Sequence, residues 1–168
     1  MQTRKQEVIE QRLAEAERVS ARHKLTASEK ELSGIIFDRL RDNESFGRIR
    51  SKGDMALFGG RTTQEMKNKL GVPRARALAD FLPTITIKAK DFANEITNFN
   101  IKQRALLGES SITGEHVKNN REVRKLLVER GIMPEALPAA EDVHKVSRRL
   151  ASEQRQLPKN KGIAGSKS

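Results

Sequence analysis

Apolar residues recur at steps of three and four along most of the chain, the spacing that places side chains on one face of an α-helix. The single strand-like alternation, at 83–87, has no second strand to pair with, so we assign it to the start of a helix. The pattern therefore predicts an all-α fold, an irregular helical bundle of about six main helices. The longer predicted helices cover 2–23, 27–41, 84–98, 114–130 and 139–153, with a short one at 101–107.

Helix-start and helix-stop signals divide these segments. Thr26 followed by Glu29 fits a capping box and predicts a break between the first two helices, which would then pack antiparallel. Thr62 followed by Glu65 is a second capping box. Gly71 and Gly131 stand where a left-handed residue ends a helix. No capping residue is evident before the first helix.

The inward faces follow from the same spacing. The longest apolar stripe lies on the helix beginning at residue 84, and we expect it to be core. On 114–130 we expect Asn119 and Asn120 to point mainly outward, and the inward side chains to be Val117, Val123, Leu126 and Leu127. The stripe expected in the core comprises Ile85, Lys88, Ala89, Phe92, Ile96 and Phe99. The first helix has a stripe at Ile9, Leu13, Ala16 and Ser20.

Residues 44–83 combine short helical segments with several glycines. Gly47 and Gly53 lower helix propensity, which predicts two short turns with a bend before the Gly59-Gly60 stop. A helix from Thr63 to Leu70, a turn at Gly71 and a helix over 74–82 would then form a hairpin. This order suggests a helix-turn-helix, although Lys67 stands where that motif packs a small residue. A plain hairpin with a basic face is the alternative.

Composition excludes several classes of protein. The 168 residues include no cysteine, which rules out disulfides and thiolate metal sites and is compatible with a reducing cytosol. No apolar run approaches the roughly 20 residues of a membrane span. Met1 leads directly into a polar segment without the pattern of a signal peptide. We therefore expect a cytoplasmic protein with no membrane partner.

The net charge of +11 is concentrated in two places. Residues 145–168 carry seven Lys and Arg against one Glu, and residues 48–76 carry eight against two acids. Concentrated positive charge suggests a polyanionic partner such as the phosphate backbone of nucleic acid. A solvated basic face without a partner is the alternative. The eight candidate nucleic-acid-binding residues are Arg48, Arg50, Lys52, Arg61, Lys67, Lys69, Arg74 and Arg76.

No residue pattern indicates catalysis, a cofactor or a metal. His23, His116 and His144 lie on three separate predicted helices and lack ligand spacing, so each is more typical of a surface or capping residue. Acidic pairs such as Glu141 and Asp142 suit the first turn of a helix. No serine stands in a nucleophile elbow. We expect no catalytic, cofactor-binding or metal-binding residues, and no enzyme.

Several motifs in combination resemble a known family. These are QTRKQE at the start, MALFGG, TTQEMKNKLGV, ITNFNI, and the long segment from ITGEHVKNN to VHKVSRRL that contains GIMPEALP. Over about residues 2–153 the chain resembles the C-terminal half of the bacterial DNA-damage-inducible protein D family. The resemblance implies a role in the SOS response, around RecA filaments on single-stranded DNA. It also implies that a Bro-type domain, similar to prophage antirepressors, would precede this region and is absent here.

We therefore expect one helical domain over residues 1–153 and a flexible basic tail over 154–168. The leading hypothesis is a non-enzymatic accessory of the SOS response that binds nucleic acid or a RecA–DNA filament through a basic face. A protein-interaction or homodimerisation module, pairing through 2–23 and 27–41, is a second hypothesis. A helix-turn-helix regulator is a third.

Overall fold

The computed structural model describes residues 3–157 and confirms the all-α fold. Short 3₁₀ turns at Leu78–Phe81 and Pro134–Ala136 precede the fourth and sixth helices. The tail predicted from residue 154 begins inside the last helix, and residues 158–168 lie outside the described residues. Within the described part, the helices are α1 (Arg4–Leu40), α2 (Ser45–Leu57), α3 (Thr63–Leu70), α4 (Thr84–Arg104), α5 (Glu109–Glu129) and α6 (Val143–Gln156).

Helix α1 replaces the two helices predicted for 2–23 and 27–41. Its 37 residues span about 55 Å at 1.5 Å per residue. The predicted break is wrong because the Thr26 hydroxyl donates to the carbonyl of Arg22, one turn earlier, at 3.2 Å. With no glycine or proline between residues 4 and 33, the helix continues through this position. The helix is also capped, since the Thr3 hydroxyl accepts from the Gln6 amide.

Four helices form the body of the molecule. Helices α1 and α4 run parallel, because Glu17 binds Lys88 and Glu31 binds Lys102. Helix α5 runs antiparallel to α4, and α2 runs beside α5. Because α2 also packs against α1, the four helices close a ring in which α2 and α4 occupy opposite corners. Helix α6 packs on the outside of α1.

The core consists of two apolar clusters with a polar layer between them. On α1, Leu25 belongs to one cluster, Ser28 to the polar layer and Leu32 to the other cluster. The same order occurs on α4, where Ala93 and Ile101 flank buried Thr97 and Asn98. The polar side chains bond across the helices: Asn94 donates to the Ser28 hydroxyl at 3.1 Å and Asn98 to the Ser28 carbonyl at 3.2 Å. Polar residues therefore fix which helical turns face each other.

Several expected inward faces are wrong. The stripe on α4 that was expected in the core is largely exposed: Phe92 is 58% and Phe99 64% exposed. Asn119 and Asn120, expected outside, are buried, whereas Leu126 is exposed. In the part of α1 predicted as the first helix, the stripe of Ile9, Leu13, Ala16 and Ser20 is exposed. The buried stripe of α1 is Arg18, Ala21, Leu25, Ser28, Leu32 and Ile36.

Three helix boundaries also differ from the prediction. Helix α4 continues to Arg104 and absorbs the short helix expected at 101–107. At the end predicted for this helix, the side-chain amides of Asn98 and Asn100 bond to α1 and α5, and the helix continues. Helix α5 begins at Glu109 and α6 at Val143, where the Asp142 side chain accepts from the His144 amide.

Candidate nucleic-acid interface

Helix α2 carries three of the eight candidate basic residues. It is one continuous helix rather than two turns with a bend. Gly53 lies against the buried His116 of α5, and Gly47 faces open space. The solvent side of α2 presents Arg48, Arg50 and Lys52 around the small residues at 47 and 51. A polyanionic backbone can approach this helix closely because its outer surface carries small side chains between the basic ones.

Helix α3 forms as the sequence predicts. Gly59 and Gly60, with φ of 66° and 94°, end the preceding segment, and the Thr62 hydroxyl accepts from the Glu65 amide at 3.0 Å. Gly71 ends α3 with φ of 68°. Lys67 reaches across the turn, where its Nζ donates to the carbonyl of Arg74 at 3.3 Å.

The helix predicted over 74–82 is wrong. Residue 77 is extended, only Leu78–Phe81 form a 3₁₀ turn, and Pro83 disfavours helical backbone at Leu82. Arg18 of α1 fixes this segment by donating to the carbonyls of Asp80 and Leu82, at 2.9 and 3.0 Å. Since no helix follows the Gly71 turn before α4, the described chain has no recognition helix at the position where the helix-turn-helix hypothesis requires one.

Two of the eight basic residues, Arg48 and Arg76, form ion pairs with carboxylates. Arg48 binds Asp42 at 2.8 Å and Glu109 at 2.7 Å, and these bonds raise the pKa of its guanidinium. Arg76 binds Asp142 at 2.8 Å and the buried Asp80 at 3.1 Å, and its pKa is likewise raised. Both residues join distant parts of the chain, so their positive charge is already compensated within the fold.

The other candidates keep their charge uncompensated. Among the described residues, Arg50, Lys52, Arg61 and Arg74 form no ion pair, and all four side chains are exposed. Arg50 lies 5.5 Å from the centre of the Phe46 ring. Lys69 donates to the carbonyl of Glu135.

These residues do not share one face. Arg50 and Lys67 border a small cavity of about 60 Å³ between α1, α2 and the segment after α3. Lys52 lies on the other side of α2, in an open groove between α2 and α5. The basic region is therefore a band that passes over α2, rather than a flat patch made by a hairpin.

Helix α5 adds basic residues that sequence reasoning missed. Arg121 lines the same groove as Lys52, whose apolar lining includes Met55, Ala56 and Val117. Lys118 and Lys125 are exposed on the same helix, at three- and four-residue steps from Arg121. The three- and four-residue spacing indicates that these cations share one face of α5. A count of charge along the sequence does not reveal such a face.

The histidines occupy unrelated places. His23 and His144 are exposed, whereas His116 is 3% exposed, so the expectation of a surface or capping role is wrong for His116. Within residues 3–157, no three His, Asp or Glu side chains lie close enough together to hold a metal ion. No helix in this range has the length and hydropathy needed to cross a membrane.

Comparison with known proteins identifies the family. A search of curated proteins gives no match. The sequence model of the family described as the DinD C-terminal domain matches residues 13–146, a range that runs from α1 into α6 and includes the basic band over α2. Because this match covers most of the chain, the protein belongs to the DinD C-terminal domain family, whose members are DNA-damage-inducible proteins.

Proposed function

We propose that this protein is a non-enzymatic, cytoplasmic accessory of the SOS response that binds the phosphate backbone of nucleic acid through the basic band over α2. The contacts are made by Arg50, Lys52, Arg61 and Arg74, together with Arg121 of α5, which lines the same groove as Lys52. Arg48 and Arg76 hold the scaffold in place. This proposal narrows the eight sequence candidates to the four that are exposed and form neither an ion pair nor a hydrogen bond to a backbone carbonyl; Lys67 and Lys69 form such hydrogen bonds.

One observation carries the proposal. Among the described residues, six of the eight basic residues between 48 and 76 form no ion pair; Lys67 and Lys69 donate to backbone carbonyls, and the other four, Arg50, Lys52, Arg61 and Arg74, are exposed. Guanidinium and ammonium groups that are exposed and uncompensated are available to phosphate oxygens, and their binding releases counterions from the nucleic acid. Their neighbours at 47 and 51 are small, which lets a backbone approach.

Backbone contact fits the site better than base reading does. Phe58 is fully buried, and Phe46 is covered by Arg50, so neither ring is presented for base stacking. In the described chain no α-helix lies between the Gly71 turn and α4, where a helix-turn-helix would place its recognition helix. The proposed binding is therefore independent of sequence and sensitive to salt.

The experiment is a titration of fluorescent single- and double-stranded DNA at several salt concentrations, comparing the natural sequence with the double variant Arg50→Gln/Lys52→Gln. Loss of two phosphate contacts reduces the magnitude of the slope of log affinity against log salt by about 1.4 for single strands and about 1.8 for duplex. The matched control is Lys145→Gln/Arg148→Gln, which removes two exposed charges from α6. Equal losses in the two variants would show a nonspecific charge effect, and no binding even at low salt would refute the proposal.

The nucleic acid could be bound bare or as a protein-coated filament, and the family resemblance points to RecA filaments. We propose the filament as the partner, because it presents both phosphate backbone and protein surface. The test compares binding to single-stranded DNA with and without RecA at equal salt. Tighter binding to the filament, weakened in the Arg50→Gln/Lys52→Gln variant, supports this partner; equal affinity for both restricts the function to DNA.

A further inference from the structure

An apolar ridge runs along the exposed side of α4. Ile85, Phe92 and Phe99 are 44%, 58% and 64% exposed, and they follow one another at intervals of seven residues. Seven residues make nearly two helical turns, so the three side chains stand in line along the helix. Two of the six phenylalanines of the protein are therefore presented to solvent on one helix.

The ridge projects from the body of the molecule. On one flank α4 binds α1 through Lys88, Asn94 and Lys102, and on the other it binds α5 through Thr97 and Asn100. The inner face of α4 buries Ile87, Ile101 and several small or polar residues, whereas both of its phenylalanines face outward. No element of the described chain covers the ridge, and an exposed apolar row of this kind marks an interaction surface.

A row of charges borders the ridge on its α1 side. Lys88, Glu95 and Lys102 also follow at intervals of seven, so their charges alternate along the helix. Lys88 and Lys102 bind Glu17 and Glu31 of the neighbouring α1. Glu95, between them, is exposed and forms no ion pair among the described residues. A partner that covers the ridge can therefore supply a cation to Glu95, in the middle of the row.

We propose that a second copy of this chain covers the ridge, with the two α4 helices antiparallel and Phe92 of each near a two-fold axis. At 1.5 Å per residue, Ile85 then lies opposite the partner's Phe99, and Lys88 lies within about 2 Å, along the axis, of the partner's Glu95. The pairing joins apolar to apolar and gives Glu95 the cation that it lacks. A parallel pairing would place Lys88 beside the partner's Lys88.

Absence of cysteine allows a direct test of this register. Phe92→Cys alone gives a disulfide-linked dimer under mild oxidation, because residue 92 faces its own copy. Ile85→Cys alone and Phe99→Cys alone do not, because each lies about 21 Å from its own copy along the axis. Mixing Ile85→Cys with Phe99→Cys gives the mixed dimer. Ser51→Cys, on the opposite corner of the bundle, is the control for random collision.

Sedimentation equilibrium of the unmodified protein supplies the second measurement. A monomer–dimer equilibrium is expected, and Phe92→Asp abolishes it without changing the helical circular dichroism, because the side chain is exposed. Crosslinking of Ile85→Cys with itself would overturn the antiparallel arrangement. A strictly monomeric protein at all concentrations would overturn the proposal and leave a different protein as the occupant of the ridge.

Discussion

At the scale of single residues, the most constrained group is the buried imidazole of His116. Its Nε2 faces the Asn120 amide at 3.3 Å, and its Nδ1 faces the Thr97 hydroxyl at 2.8 Å. The Asn120 Nδ2 group, which faces Nε2, can only donate, so Nε2 accepts and Nδ1 carries the proton. Thr97 then donates to the carbonyl of Ala93 and accepts from both His116 and Asn119. The neutral ring satisfies every member of the network.

Protonation of His116 should therefore destabilise the fold. Burial lowers its pKa to about 4, from 6.5, so between these values the unfolded chain binds a proton that the folded chain refuses. Stability is complete above pH 6.5 and falls as the pH drops toward 4. We expect a loss of about 2 kcal/mol between pH 7 and pH 5, measured by urea unfolding. His116→Gln should be less stable at pH 7 but lose less between the two values; an unchanged loss would assign it to other groups.

Gly53 is the second constrained residue, because it lets α2 approach that network. A Cβ at this position would lie 2.5 Å from Cδ2 of His116 and 2.9 Å from the Asn120 amide. We expect Gly53→Ala to lower the free energy of unfolding by about 1–3 kcal/mol, as overpacking does. Gly47→Ala, two turns earlier in open space, should raise it by roughly 0.5–1 kcal/mol through helix propensity. Equal effects of the two substitutions in thermal or urea unfolding would contradict the close approach.

At the scale of elements, one buried ion pair joins three helices. Lys90 of α4 binds Asp54 of α2 at 2.5 Å, and the other carboxylate oxygen accepts from Thr63 of α3 at 2.7 Å. Lys90→Met should cost about 3–5 kcal/mol, because it leaves a buried carboxylate without its cation. Lys102→Met, which breaks an exposed pair on the same helix, should cost less than about 1 kcal/mol. Urea unfolding measures both, and similar costs would show that burial does not decide the contribution.

The elements that local chemistry defines were predictable, and those that tertiary contacts define were not. The Thr62 cap and the Gly71 stop act within one turn, and α3 formed where they indicate. Thr26 carries the same cap signal, yet its hydroxyl bonds inside α1 because the helix on both sides is held by α4. On α4, the spacing of apolar residues predicted the wrong buried face. Asn94, Thr97 and Asn98 are buried there and form hydrogen bonds to other helices. No local pattern distinguishes such asparagines from exposed ones.

The candidate site was predictable in position but not in composition. Charge counting located the band at 48–76, and the structure keeps Arg50 and Lys52 as exposed cations. Charge counting could not distinguish Arg50 and Lys52 from the paired Arg48 and Arg76, because the partners Glu109 and Asp142 lie 61 and 66 residues away along the chain. Arg121 was missed for the same reason, because α5 meets α2 only in the folded molecule.

At the scale of the whole molecule, the basic band over α2 and the apolar ridge of α4 lie at opposite corners of the four-helix ring. A dimer formed through α4 would therefore display its two basic bands on opposite outer sides. Binding to a short oligonucleotide, which engages one band, should be unaffected by Phe92→Asp. Joining of two labelled duplexes in a single complex should be lost in that variant, since it needs both bands.

The reciprocal measurement completes the test of independence. Arg50→Gln/Lys52→Gln should weaken oligonucleotide binding and leave the monomer–dimer equilibrium unchanged in sedimentation, because neither residue is near α4's outer face. Two surfaces that respond separately in this way would make the protein a bridge between nucleic-acid segments. If Phe92→Asp also weakens binding to the short oligonucleotide while the fold is intact, the ridge itself takes part in binding and the bridging geometry is wrong. Salt distinguishes the two surfaces because it screens charges. Added salt should weaken nucleic-acid binding and leave the apolar contact between the two α4 helices largely intact.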